Sequence, residues 1–223
     1  MKIISFFFLS FILAHSIKAQ ICSQIDFNKV YAQTTHEKSP YYFPKLLKRF
    51  QEVDTTLTDT EYMYLYYGYT RSIHYSPNDN EATELRNLAE SKELEEAKEK
   101  IEKLDENNPV NMNLTYSKGL IAFMEKNDID AKRFSSQTKG LFRAIMQSGD
   151  GKSEATAFVI TSIEDEYFIL ILFKWRFTSR QTTSCCDIFT LEMPNSFNSE
   201  KIYFNKEKSS EYMKYLFKDI LGK

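Results

Sequence analysis

The sequence predicts an α+β protein in which antiparallel helix pairs come first, followed by a small antiparallel sheet of three or four strands and a C-terminal helix. Two observations support this class. Up to residue 148, apolar residues recur with helical spacing and follow helix-start signals. After that point the apolar residues alternate with a period of two, which is typical of strands. We therefore predict a helical region over 20–148 and a sheet with a last helix over 149–223, packed together as one unit.

The first 19 residues indicate a secretory signal peptide. Lys2 supplies a positive end, residues 3–17 carry no charge and are mainly apolar, and Ala19 offers a small residue for cleavage. An uncleaved membrane anchor is the alternative, although the apolar run is short for a bilayer span. Cleavage after Ala19 predicts a secreted or periplasmic protein that keeps no stable membrane span.

Charge and cysteine content exclude several classes of protein. The net charge of −2 gives no electrostatic reason to expect nucleic acid as a partner. Three cysteines are too few for a disulfide-dense scaffold. We expect Cys185 and Cys186 to be free, buried and on opposite faces of a strand, where they cannot readily grip one metal. No metal and no cofactor is predicted.

Helix-start signals recur through the first part of the chain. Thr58 and Glu61 form a capping box, in which each side chain accepts a hydrogen bond from the backbone of the other residue. Ser39 is predicted to cap a helix that begins at Pro40, where the missing N–H costs nothing. Two further predicted caps are Asn108 and Asp128.

The segment LEEAKEKIEKL, residues 94–104, predicts an amphipathic helix. Its charged residues are expected to face solvent and to pair within the helix, as Glu96 with Lys100 and Glu99 with Lys103. Ala97 and Ala131 lie 34 residues apart, which is the period of a tetratricopeptide repeat. The positions that fit this register are Ala97, Ile101, Leu104, Pro109, Gly119 and Ala131. Helix pairs of tetratricopeptide type are therefore expected, without a regular array.

Period-two segments define the predicted sheet. The turn of the first hairpin is expected at Glu164-Asp165, so that the acidic tip 164–166 is solvated. A longer loop is expected over 178–184, Pro194 ends the third strand, and Ser209 or Ser210 caps the last helix. The strands are expected within ATAFVITSI (155–163), EYFILILFKWRF (166–177), DIFTLEM (187–193) and KIYF (201–204).

The stretch SGDGKS, residues 148–153, resembles part of a phosphate-binding loop but fails two tests. Such a loop needs glycine at position 146, where this chain has Met146, and it must follow a strand and open a helix. Here a helical segment precedes the stretch and a strand follows it. We interpret it as a hinge in which Gly149 and Gly151 supply positive φ, and no nucleotide binding is predicted.

Tyrosine is the most unusual feature of the composition. The chain has 14 tyrosines, and six of them lie in EYMYLYYGYTRSIHY, residues 61–75. One hypothesis is a surface that binds peptide or saccharide through Tyr64, Tyr67, Arg71 and His74. The alternative is a central, fully buried helix whose hydroxyl groups find partners inside the protein.

Two blocks together resemble a family of secreted proteins from Bacteroidetes-type bacteria that is catalogued as a domain of unknown function. The resemblance implies an exported bacterial protein without an established activity, and it supplies no catalytic residues. The blocks are YYFPKLLKRFQEVDTTLTDTEYMYLYYGYTRSIHYSP and SGDGKSEATAFVITSIEDEYFIL.

The leading functional hypothesis is a non-enzymatic binding or assembly module of the cell envelope. Its partner would be an unknown protein, peptide or saccharide. The alternative is a hydrolase or transferase with a site at the junction of helices and sheet. That site would use Glu61, Tyr67, Arg71 and His74.

Overall fold

The computed structural model describes residues 24–78 and 80–221, with side chains described as far as 216. The predicted signal peptide and Cys22 lie outside these residues. Helices fill most of the described chain up to residue 146, which confirms the predicted class. The helices are α1 (Phe27–Thr35), α2 (Phe43–Gln51), α3 (Asp59–Gly68), α4 (Asn80–Ser91), α5 (Leu94–Asn107), α6 (Met112–Met124), α7 (Asp128–Met146), α8 (Ile163–Leu172) and α9 (Glu207–Leu221).

The four strands of the described chain form one sheet of order β1-β4-β3-β2. The sheet is mixed, whereas the sequence predicted an antiparallel one. β1 runs parallel to β4, and the other two pairings are antiparallel. The predicted third and fourth strands are confirmed as β3 and β4. The strands are β1 (Phe158–Val159), β2 (Phe177–Thr182), β3 (Cys186–Leu191) and β4 (Lys201–Asn205).

The helix start with a full capping box was predicted correctly, whereas the starts predicted from a single cap residue are displaced in the structure. The capping box at Thr58 and Glu61 is present, with the Glu61 N–H donating to Thr58 Oγ1 at 3.3 Å. Ser39 caps only a turn, and α2 begins at Phe43 with its proline in the first turn. Neither Asn108 nor Asp128 is an N-cap, because the asparagines nearby, Asn111 and Asn127, take those positions.

Helices α4 to α7 pack as successive antiparallel neighbours. Lys100 pairs with Glu84 at 2.9 Å and Lys103 pairs with Glu81 at 2.5 Å, so these α5 charges bridge to α4, where pairing within α5 was expected. At the crossing of α6 and α7, a Cβ on Gly119 would lie 3.5 Å from the Ser135 backbone nitrogen. This is an ordinary contact distance, so the crossing would also accept an alanine at this position. Membership of the tetratricopeptide class stays a prediction.

Helix α8 replaces the second predicted strand. Its run of large apolar residues is buried on several sides, so periodicity cannot separate a strand from a central helix. Two residues after the end of α8, Lys174 adopts a left-handed conformation with φ of 55°. The Trp175 N–H then donates to the Leu170 carbonyl at 2.8 Å, as in a Schellman motif. Residues 178–184, expected to be a loop, instead supply most of the exposed edge strand β2.

The 148–153 stretch is a tight turn that joins α7 to β1. Gly151 has φ of 68°, as expected, whereas Gly149 does not have a positive φ. A Cβ on Gly149 would lie 2.3 Å from the Thr156 carbonyl oxygen, so close packing explains this glycine. The Tyr203 N–H of β4 donates to the Gly151 carbonyl at 2.9 Å. The turn is thus fastened to the sheet, and its order of elements is the reverse of that in a phosphate loop.

One hydrophobic core runs through both predicted regions. Buried side chains from the helices, such as Tyr67 and Leu141, belong to the same cluster as Phe189 and Phe204 of the sheet. Within the described ranges, no helix is long and apolar enough to cross a membrane.

Candidate functional site

An apolar groove of about 970 Å³ lies between α6, α7 and α8, and we call it the α8 groove. Large apolar side chains normally lie inside a protein, yet Phe123 is 67% exposed and Leu172 is 48% exposed here. Its principal apolar lining residues are Leu120 and Phe123 of α6, Phe142 of α7, Phe168 and Leu172 of α8, and Phe173.

Local structure explains why these side chains meet. Helix α6 packs on α7 at Gly119, and Phe123, about one turn further along α6, is exposed near the end of that helix. At the end of α8, Phe173 stacks on Trp175 with ring centroids 4.3 Å apart. Phe173 also lies 5.7 Å from the ring of Phe142. This aromatic row holds the end of α8 beside α7 and forms one end of the α8 groove.

The α7 wall of the α8 groove is polar. Lys132 and Lys139 are both exposed, and Ser135 and Ser136 lie between them. Asp128, the first residue of α7, also lines the groove. The groove therefore has an aromatic and aliphatic side formed mainly by α6 and α8, and a cationic, hydroxyl-bearing side formed by α7.

The opposite end of α8 carries three consecutive buried acids. Glu164, Asp165 and Glu166 are 7%, 5% and 0% exposed, so the prediction of a solvated hairpin turn is wrong. Acidic residues are favourable in the first turn of a helix because the unpaired N–H groups and the helix dipole are positive there. Ser162, whose hydroxyl donates to Glu164, precedes them.

Asp165 belongs to a buried network that ties α8 to α3. The Tyr66 hydroxyl donates to Asp165 Oδ2 at 2.5 Å and accepts from the Thr161 N–H at 3.0 Å. Burial raises the pKa of Asp165 to about 7, and the nearby Glu164 charge adds to this, although the hydrogen bond from Tyr66 opposes it.

Glu166 belongs to a second network that ties α8 to the sheet. Arg180 Nη2 lies 3.2 Å from Glu166 Oε2 and 2.5 Å from Asp187 Oδ2. Lys206 Nζ lies 3.1 Å from Asp187 Oδ1, which also accepts from Thr182. Two buried carboxylates thus share one guanidinium.

The two carboxyl groups in this cluster have opposite pKa shifts. Burial, and then the charge of Asp187, raises the pKa of Glu166 well above its ordinary value. Burial alone would raise the pKa of Asp187 too, but hydrogen bonds from Thr182, Arg180 and Lys206 outweigh it and lower that pKa. Asp187 therefore loses its proton at a lower pH than Glu166 does. Shifted acids occur at catalytic sites and in structural networks. None of these lines the α8 groove, so we assign them to holding α8 in place.

We expect the stability of this protein to fall as pH rises from about 4 to about 7. Asp165 ionises at a lower pH in the unfolded chain, where its pKa is about 3.9, than in the folded protein. As pH rises, ionisation therefore stabilises the unfolded state relative to the folded state. In urea unfolding at pH 4.5 and 7.5, Asp165 alone should contribute a loss of roughly 2–4 kcal/mol, and Glu166, whose pKa is also raised, should add to it. Asp54, whose pKa is lowered to about 2, loses its contribution only below this window.

Asp165→Asn is the matched control for this pH dependence, because asparagine can still accept the hydrogen bond from Tyr66. The fall in this variant should be smaller by the contribution of Asp165, roughly 2–4 kcal/mol, and the fall that remains should come from Glu166. An equal fall in both proteins would contradict the assignment of the pH dependence to Asp165.

The structure separates the residues of the predicted tyrosine surface. Tyr67 is fully buried, as the alternative of a central helix expects, and its hydroxyl reaches the Ala144 and Val159 carbonyls at 3.1 and 3.0 Å. Tyr64 is 5% exposed and its ring stacks on Tyr41 at 4.1 Å. The alternative of a central helix with internally paired hydroxyls describes α3 better, because Tyr66 and Tyr67 both find partners inside.

The remaining members of that set lie at the surface. Arg71 is exposed, with its guanidinium 4.1 Å from the Tyr31 ring centroid, and His74 is exposed in the next turn. Glu61 pairs with Arg49 at the start of α3, whereas Arg71 lies in the turn that follows the end of this helix. Glu61, Tyr67, Arg71 and His74 therefore do not converge on one pocket, although a binding role for Arg71 and His74 stays a prediction.

Cys185 and Cys186 are free and buried, as expected, but they do not lie on opposite faces. Their Sγ atoms are 3.8 Å apart within one small cluster that includes Ala157 and Ile188. Cys185 precedes β3, so the strict alternation of a strand does not apply to the pair. In the part of the chain that is described, no group of three or more His, Cys, Asp or Glu side chains could hold a metal ion.

Comparison with known proteins identifies a family. The family model described as a domain of unknown function, DUF4919, matches residues 28–214. The chain belongs to this family. No curated protein and no solved structure matches it. The DUF4919 match includes α1 to α8, all four strands and the first half of α9, so both the α8 groove and the buried acid networks lie within the matched region.

Sequence reasoning missed the site of this DUF4919 protein because it assigned α8 to a strand. One signal could have revealed the helix. Ser162 is followed, after one residue, by three acids and then by a continuous apolar run, which is a helix-start pattern. The groove residues of α6 and α8 lie far apart in sequence, and only the fold brings them together.

Proposed function

We propose that this protein is a non-enzymatic binding module that holds a small apolar ligand in the α8 groove. The observation that carries the proposal is the exposure of Phe123, Leu172 and Phe173 in a groove with a volume of about 970 Å³. Small-molecule sites are typically clefts of roughly 300–1,000 Å³ lined by apolar and aromatic side chains with a few polar groups. Removing such surface from water provides the driving force for binding.

The attachment of α8 supports a groove that exists before the ligand arrives. The first turn of α8 is held by Tyr66 and Arg180 through buried acids, and its end is held by the stacked pair Phe173 and Trp175. A wall that is already ordered loses little conformational freedom when a ligand binds. Little of the favourable binding free energy is then offset by the cost of ordering the site.

Titration with the neutral fluorescent probe N-phenyl-1-naphthylamine tests this function. We expect saturable binding by the wild-type protein and a loss of at least about ten-fold in affinity for Ser136→Trp, whose indole would fill the groove. Ser91→Trp is the control, because Ser91 is exposed at the end of α4 and does not line the groove. No saturable binding, or equal affinity of wild type and Ser136→Trp, would reject the proposal.

We also propose that the protein acts outside the cytoplasm. The support is the order of Lys2, the uncharged stretch 3–17 and Ala19 at the start of the sequence. Mass spectrometry of protein recovered from the periplasm or the medium should find a chain that begins at Gln20. Recovery of a chain that still begins with Met1 or Lys2 would contradict export with cleavage.

A further inference from the structure

The division of the α8 groove into an apolar side and a cationic side suggests the chemistry of its ligand. We infer that the ligand is a single-chain amphiphile, with its apolar chain against α6 and α8 and an anionic head group on the α7 wall. This inference rests on the binding function proposed above and adds the charge of the ligand to it.

The α7 wall presents hydrogen-bond donors in one row. Lys132 and Lys139 are seven residues apart, close to two helical turns, so they lie on one face about 10.5 Å apart along the axis. Ser135 and Ser136 lie between them on the groove side. Ammonium and hydroxyl groups can all donate to an anion, and charge-assisted bonds of this kind are the stronger ones.

The two groove lysines differ from other lysines on the neighbouring helices. Lys98 pairs with Glu125 at 2.7 Å, and Lys118 of α6 pairs with Asp105 at 2.7 Å. Among the residues that the structure describes, no carboxylate lies within 4.0 Å of Lys132 or Lys139. Their charges are therefore available to a ligand.

Asp128 sets the direction of the ligand. It lines the groove one turn before Lys132 and would repel an anion at that end, whereas Lys139 lies about three turns from Asp128 along α7. Because α6 runs antiparallel to α7, Phe123 at the end of α6 lies toward the Asp128 end. The head group is thus placed toward Lys139, with the chain extending back toward Phe123.

A lipid bilayer fits this surface less well than a monomeric amphiphile. Electrostatic attachment to an anionic membrane uses clusters of roughly 4–8 basic residues. The groove offers two lysines and one acid, and the whole chain has a net charge of −2. The concave shape also suits one chain that enters the groove better than a flat surface.

Displacement of bound N-phenyl-1-naphthylamine by dodecanoate and by dodecan-1-ol, both below their aggregation limits, tests the inference. We expect dodecanoate to bind about ten-fold more tightly than the alcohol. The double variant Lys132→Gln/Lys139→Gln should remove this difference by weakening dodecanoate binding about ten-fold, with a much smaller effect on the alcohol and the neutral probe. Lys139→Gln alone should have a larger effect than Lys132→Gln. Lys45→Gln, an exposed lysine of α2 outside the groove, is the matched control.

The outcomes separate the two proposals. If the neutral probe binds but dodecanoate and dodecan-1-ol compete equally in every variant, the anionic head group is wrong and the binding function stands. If the neutral probe does not bind, both proposals fail. Cosedimentation with phosphatidylglycerol vesicles that depends on Lys132 and Lys139, without displacement by dodecanoate, would overturn the inference in favour of a membrane surface.

Discussion

Tyr67→Ala should reduce the free energy of unfolding by roughly 3–5 kcal/mol, the range measured for large buried aromatic side chains. The Tyr67 ring is fully buried and lies edge-on to Phe27 and Tyr66, with centroids 5.7 and 5.0 Å away. Truncation leaves a cavity at the point where α3, α7 and β1 meet. It also leaves the carbonyls of Ala144 and Val159 without their hydroxyl donor.

Urea unfolding monitored by circular dichroism measures this loss. Tyr67→Phe separates the hydroxyl from the ring and should cost about 1 kcal/mol. Arg71→Ala, on the exposed turn after α3, should cost at most about 1 kcal/mol through its contact with the Tyr31 ring. A loss below about 1 kcal/mol for Tyr67→Ala would contradict the assignment of this residue to the core.

Asp187→Ala should cost a similar 3–5 kcal/mol, because removing one partner of a buried ion pair leaves the other charge uncompensated. Asp187 is fully buried and accepts from Arg180, Lys206 and Thr182. Without it, Arg180 keeps only Glu166 as a carboxylate partner, and Lys206 loses its ion pair with Asp187. The two cations then face each other across an unfilled space.

Glu192→Ala provides the matched control. Glu192 pairs with Arg176 at 3.3 Å on the neighbouring surface, where an ion pair contributes about 0–1 kcal/mol. Thermal and urea unfolding should therefore show a large loss for Asp187→Ala and a small one for Glu192→Ala. Equal, small losses in the two variants would show that the Glu166–Arg180–Asp187 cluster does not hold α8 to the sheet.

Local signals allowed parts of the fold to be predicted from the sequence. The capping box at Thr58 and Glu61 involves residues three apart, so its geometry depends on nothing distant. The strand at DIFTLEM was predicted because it alternates, with Phe189 and Leu191 directed into the core. The parallel pairing of β1 with β4 could not be predicted, because it depends on how α8 crosses between the strands.

Helix α8 shows that the spacing of apolar residues does not always distinguish a helix from a strand. The apolar run FILILF has no polar face, so both a strand and a helix satisfy the pattern, and its exposed residues Ile171 and Leu172 are as apolar as its buried ones. Because α8 was predicted as a strand, Glu164, Asp165 and Glu166 were expected in a solvated turn, whereas they lie buried at the start of the helix. The same prediction also removed Phe168 and Leu172 from consideration as site residues.

The tyrosine segment shows a related limit. Spacing on α3 grouped Tyr64 with Tyr67, but it could not show that other segments would cover both. Tyr41 covers Tyr64, and Tyr67 lies against Phe27 and the Ala144 and Val159 carbonyls. Arg71 was placed on the same face by spacing, yet α3 ends at Gly68 and the chain turns before reaching it. The candidate site was therefore sought on the helix that proved to be central.

The central claim is that the α8 groove binds an anionic amphiphile, and nuclear magnetic resonance tests it most directly. Backbone amide shifts of the wild-type protein should be followed during titration with dodecanoate. We predict that the changes concentrate on the groove segments 116–123, 128–142 and 168–173, with the largest change near Lys139, and that α3 is unaffected. Changes centred on Arg71 and His74, or an absence of localised changes at saturating dodecanoate, would contradict the claim.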